Sequence, residues 1–119
     1  MIKIISTLFA AGFILTAGYS YSRAEDAPQC PVASKADAHE QASKIPNVKI
    51  IQLTDEQMKT LFEAKGNPPN AEDGVPLEAE LVDNGEIAGI NIYQKGCFIN
   101  RLGPSYRQMI YRLLGMEVL

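Results

Sequence analysis

Two cysteines, one histidine and a scatter of carboxylates are the side chains of this 119-residue chain that could do chemistry. Cys30 and Cys97 are the sole thiols. In an oxidising compartment two cysteines permit one intramolecular bridge, and closing a loop of that length contributes about 4 kcal/mol in the chain-entropy description. A free buried thiol or an intermolecular bridge is the alternative. A redox centre is disfavoured, because there is no Cys-x-x-Cys spacing to lower a thiol pKa.

His39 lies among Asp37, Glu40 and Gln41, in a segment that reads as a solvated helix face. Nucleophilic catalysis would need a hydroxyl brought to it, and no Gly-x-Ser-x-Gly elbow occurs. The paired carboxylates Glu78 and Glu80 alternate onto what reads as the wet side of a strand, with Glu72-Asp73 in the loop before it. Glycoside hydrolysis requires two carboxyls facing a sugar cleft, one of them buried enough to stay protonated, so these four read as solubilising. Asp83-Asn84-Gly85-Glu86 lacks the alternating acidic ladder of a calcium loop, and no His/Cys cluster suggests a transition metal. Phosphate-cradling and dinucleotide fingerprints are missing as well. The expectation is a protein without cofactor, metal or catalytic residues; a small hydrolase using His39 is the least favoured alternative.

The first 24 residues look like a secretory signal. Lys3 precedes the apolar run 4–16, and Ser22-Arg23-Ala24 puts small residues at the −3 and −1 positions of a cleavage site. Cleavage after Ala24 would place the chain in the periplasm or outside the cell. Residues 4–21 could instead stay as a membrane anchor, giving a bitopic envelope protein that regulates a membrane complex. Segment 25–33 reads as an extended lead-in, and 34–119 as one small domain. Charge is uneven: 25–90 carries thirteen acidic and five basic residues, whereas 91–119 carries four basic and one acidic. So acidic a body argues against nucleic acid as a partner.

The elements that must position these groups follow from periodicity. Leu77–Leu102 alternates with a strand period of two and is interrupted at Asn84-Gly85 and Lys95-Gly96, which predicts a three-stranded meander. A two-residue turn at Asn84-Gly85 pairs Leu81 with Ala88, Ala79 with Ile90 and Leu77 with Ile92. A second at Lys95-Gly96 pairs Tyr93 with Phe98 and Ile92 with Ile99, and sets Cys97 on the buried side. Glu78, Glu80, Gly89 and Asn91 then share the wet face. Val48–Leu53 has the β-branched content of a short strand. Thr54-x-x-Gln57 is a capping box for a helix over 54–65, stapled by Leu53 and Met58 and closed by Gly66. Gly103-Pro104 predicts a helix over 104–114, with proline at its first position and Tyr106, Met109, Ile110, Leu113 and Leu114 as its inward stripe. A weaker, alanine-rich helix fits 34–45, capped by Ser34. The fold class is α+β, a mainly antiparallel sheet with the 54–65 and 104–114 helices on one face.

With chemistry set aside, binding is the leading expectation: a small exported, disulfide-stabilised accessory module whose partner is an envelope or extracellular protein. Two surfaces are candidates. Ile87, Tyr93 and Phe98 share the wet face, where an aromatic cross-strand pair either stabilises the sheet or anchors a partner. The ten-residue polar connection Asn67–Pro76, with three prolines, is either a binding loop or a plain connector.

Overall fold

A computed structural model describes residues 29–118. The signal-sequence reading, the 4–21 anchor and most of the 25–33 lead-in lie outside them. No helix among the described residues is long and apolar enough to cross a membrane.

Eight elements follow in order: β1 (Ala33–Ser34), α1 (Lys35–Ser43), β2 (Lys49–Gln52), α2 (Asp55–Lys65), β3 (Leu77–Asp83), β4 (Ile87–Gln94), β5 (Cys97–Tyr106) and α3 (Arg107–Leu113). The strands form one antiparallel sheet in the order β1-β5-β4-β3-β2, so the protein is α+β as its periodicity implies. One face carries Ala79, Leu81, Ala88, Ile90 and Ile92, all essentially inaccessible, beneath Leu61 of α2 and Ile110, Tyr111 and Leu114 of the C-terminal segment. The capping box of α2 is complete: Gln57 N donates to Thr54 Oγ1 at 3.1 Å and Thr54 N donates to Gln57 Oε1 at 2.9 Å. Cys30 and Cys97 are disulfide-bonded, with Cα atoms 5.4 Å apart, and tie the chain leading into β1 to the start of β5.

Four expectations are corrected. The first hairpin pairs Asp83 with Ala88, Leu81 with Ile90 and Ala79 with Ile92, two residues away from the expected register. Side chains rather than an Asn-Gly turn set this register. Asp83 Oδ1 accepts from Gly85 N, and Asn84 Oδ1 accepts from Glu86 N and Ile87 N, so the bend moves one residue on. A shift of two leaves every side chain on its expected face. In the second hairpin Lys95 and Gly96 both take positive φ and Tyr93 pairs with Phe98 as expected, but a bulge then sets Ile92 opposite Asn100, not Ile99.

The third correction concerns the last helix. Gly103 and Pro104, joined by a cis peptide bond, lie inside β5, and α3 starts only at Arg107. Its inward face is Ile110, Tyr111 and Leu114, whereas Tyr106 and Met109 are exposed. Tyr111 turns inward because its hydroxyl donates to the Asp83 carboxylate, which also receives Arg107 Nε and Nη2, each at 2.8 Å. The fourth concerns the second face of the sheet. It is not wet over most of its length, because α1 lies across it with Ala38 and Ala42 buried, and Glu80, Asn91 and Tyr93 are buried beneath. Ser34 caps α1 by accepting from Asp37 N at 3.1 Å.

Candidate functional site: a cleft beside helix α1

Helix α1 is short and its inward side chains are alanines, so it covers the sheet thinly and ends before the hairpin at residues 84–87. Beyond Ala42 the outer face of the sheet is left open. Gly89 lies there in β4, and a Cβ on it would come within 3.0 Å of the Leu102 carbonyl oxygen. The bare glycine is required because β5 approaches this closely around Gly103-Pro104. A cleft of about 420 Å³ lies between the end of this thin helix and the part of the sheet where β4 and β5 approach.

Ala42 and Ile45 form one wall, Val82 and Ile87 the hairpin end, and Pro104 the far side. Ile87 is 42% exposed at the mouth, and Tyr106, its cross-strand partner, is 76% exposed beside it. Gln41, Asn84, Asn91 and Arg101 are the polar lining, so Arg101 brings the cleft its one formal charge. Arg101 Nε donates to Asn91 Oδ1 at 2.8 Å, and its guanidinium stands 5.1 Å from the centre of the Phe98 ring. Asn91 is itself buried, which holds the arginine at a set height on the cleft wall.

Under α1 runs a polar chain. Tyr93 OH donates to Glu80 Oε1 at 2.7 Å, and Glu80 Oε2 lies 2.6 Å from Nδ1 of His39, whose side chain is half exposed. Burial first, and then the hydrogen bond to Glu80, push the Tyr93 hydroxyl far above the ordinary phenol range. Lys35 pairs with Glu78 and stands 5.7 Å from the Tyr93 ring centre. On the opposite face Asp83 is held at about 2: burial alone would raise it, but hydrogen bonds from Arg107, Tyr111 and Gly85 and the charge of Arg107 outweigh burial. Both polar groups brace the sheet from below and above.

The candidate surface Ile87, Tyr93, Phe98 is broken up by α1. Tyr93 is fully buried, and packs edge-to-face on Phe98 with ring centres 6.2 Å apart. Phe98 is partly buried, and only Ile87 faces the cleft. The reading of Glu80 as a solvated carboxylate is likewise corrected, since it is buried between Tyr93 and His39, while Glu78 stays exposed. The serine hydroxyls among the described residues are engaged elsewhere than on His39: Ser34 caps α1, Ser43 donates to Glu40 O at 2.7 Å, and Ser105 contacts Met109 Sδ at 3.5 Å. Both cysteines are in the disulfide. Among the described residues no group of three His, Cys, Asp or Glu side chains could hold a metal. The Asn67–Pro76 connection is strapped to the sheet, because the buried Gln94 donates to Glu72 O and Val75 O and accepts from Glu72 N. Lys95 and Glu72 pair at 2.8 Å over the same strap.

Arg101, Ile45 and Pro104 were not legible as site residues, because they come together only through α1 and the bulged end of β5. Gly89 was the available signal, since an isolated glycine inside a strand pattern marks close backbone approach. Comparison with known proteins gives no match: no family model, no curated protein and no solved structure is detectably similar to the chain.

Proposed function

We propose that the protein is an exported, disulfide-stabilised, non-catalytic binding module that engages an envelope or extracellular protein through the cleft beside α1. The cleft carries this reading. It is a preformed concavity with an apolar lining, a few placed amides and one charge, rimmed by exposed Ile87 and Tyr106. Concave apolar sites with sparse polar groups are where binding energy concentrates, and exposed aromatics at the rim act as anchors. The Cys30–Cys97 bridge supports an oxidising location.

A photo-cross-linking residue placed at Ile45 or Ile87, in chain made by an exporting host, tests the proposal. One reproducible adduct is expected from both positions and none from Lys59, which is exposed on α2 over the other face. Ile87→Asp should abolish the adduct formed from position 45 without lowering thermal stability. No adduct from either cleft position, or equal labelling from position 59, overturns the reading.

A further inference from the structure

The lining of the cleft also restricts what chemistry can enter. Arg101 has one N–H committed to Asn91 Oδ1, and among the described residues no carboxylate lies within ion-pair distance of it. Lys35, Lys44, Lys95 and Arg107 each meet a carboxylate of the chain, whereas Arg101 is the basic side chain that lines the cleft and meets none among the described residues. A guanidinium fixed through Nε keeps its terminal nitrogens as a fork, the geometry that receives a carboxylate through two parallel hydrogen bonds.

The remaining polar groups are amides. Asn84 spends its Oδ1 on the hairpin and retains its NH₂, and the Gln41 carboxamide stands at the end of α1. A carboxamide donates and accepts at once, which suits a peptide group; an acyl chain would leave both amides idle in an apolar site. Aliphatic Ile45, Val82, Ile87 and Pro104 supply the rest of the surface. Asn91, which holds Arg101, lies two residues along β4 from Gly89, the cross-strand partner of Val82, a spacing of about 7 Å, so the carboxylate and the apolar group lie close together in the ligand.

From this we infer that the cleft binds the carboxy-terminal residue of a partner polypeptide, with Arg101 on the terminal carboxylate and an aliphatic last side chain against Val82, Ile87 and Pro104. A terminal residue carries both groups on one Cα, which meets this spacing. Gln41 and Asn84 take the last peptide groups. The inference rests on the binding-module reading and names its ligand class.

The test is a two-dimensional ¹⁵N–¹H titration of the chain recovered from an exporting host with its disulfide intact. The probes are acetyl-Ala-Ala-Leu-Leu as the free acid, the same peptide as its carboxamide, acetyl-Ala-Asp-Leu-Leu-amide to offer an internal carboxylate, and octanoate. The free acid is expected to shift the amides of Ile45, Val82, Ile87 and Gly89. The carboxamide should bind at least about tenfold more weakly, as loss of a charge-assisted hydrogen-bonded pair implies. Arg101→Gln should remove that preference while its spectrum stays folded, and Arg101→Lys should restore it in part.

Equal binding of acid and carboxamide overturns the terminal-carboxylate inference and leaves the binding-module reading standing. Stronger binding of the internal aspartate peptide or of octanoate overturns it in favour of that ligand. Silence from every probe overturns it too, and the cross-linking experiment then decides separately whether the cleft binds anything.

Discussion

Asp83 is the residue whose removal should be felt most widely. Its carboxylate is 2% exposed and receives Arg107 Nε and Nη2, the Tyr111 hydroxyl and Gly85 N, so it joins α3, β3 and the first hairpin at one point. Asp83→Ala leaves the Tyr111 hydroxyl buried without its acceptor and removes the carboxylate that receives Arg107 Nε and Nη2. Losing a buried acceptor shared by these charge-assisted hydrogen bonds costs about 3 kcal/mol, which for a domain of this size lowers Tm by on the order of 15 °C. The acid dependence supplies an independent check. The folded-state pKa is about 2, against an ordinary 3.8. A depressed carboxylate stabilises the fold fully above its unfolded value, and that stabilisation is lost as pH falls from about 4 towards 2. The displacement corresponds to about 2 kcal/mol.

Urea unfolding followed by circular dichroism, for wild type and Asp83→Asn at pH 7, 5, 3 and 2, isolates this contribution from the other carboxylates. The stability difference should be about 2–3 kcal/mol at pH 7 and 5 and should shrink to under about 1 kcal/mol by pH 2, where the folded wild type is half protonated. A difference that stays constant over the whole range would refute the argument that the paired anion, rather than side-chain packing, holds this junction. A difference under about 0.5 kcal/mol at pH 7 would refute the junction itself.

Other consequences are smaller but equally direct. Replacing both cysteines by alanine should cost about 4 kcal/mol, since the bridge closes a separation of 67 residues; urea midpoints that differ by less than the equivalent of about 1 kcal/mol contradict this. Tyr93→Phe deprives the buried Glu80 of a donor and should cost about 1–2 kcal/mol, measured in the same way. Both Tyr93 and Tyr111 are raised, by burial first and then by their carboxylate partners, so neutral phenol is the form that the fold stabilises. Their ionisation, read by ultraviolet absorbance, should be delayed past the ordinary value of 10.0, with stability falling as pH rises through that region. Reversible ionisation of both near 10 in the folded protein would contradict it. Thr54→Ala opens the capping box of α2 and should cost about 1 kcal/mol by thermal melting.

Much of this architecture can be read from the chain. The period-two alternation of Leu77–Leu102 places Ala79, Leu81, Ala88, Ile90 and Ile92 on one face whichever register the hairpin adopts, because a slip of two preserves sidedness. Thr54 and Gln57 start α2 through bonds three residues apart, and Lys95-Gly96 makes its turn through local backbone preference. These interactions are local, so sequence spacing suffices to specify them. With just two thiols, Cys30 and Cys97 had one possible pairing within the chain, and the structure shows that bridge formed.

What distance along the chain conceals, the tertiary structure decides. The first hairpin takes its register from Asp83 and Asn84 bonding to the turn, a competition between side-chain and backbone acceptors that an Asn-Gly signature does not resolve. Pro104 lies in β5 because that strand must reach Ile87 and Ala88, and α3 then rotates to bring Arg107 and Tyr111 onto Asp83. Whether the second face of the sheet is wet depends on where an alanine-rich helix docks, and its own thin stripe says little about that. Once α1 is in place Glu80 and Tyr93 are buried, the aromatic surface is lost, and the space past Ala42 over Gly89 becomes the cleft. That site exists because three segments distant in sequence meet there, and meeting is a property of packing.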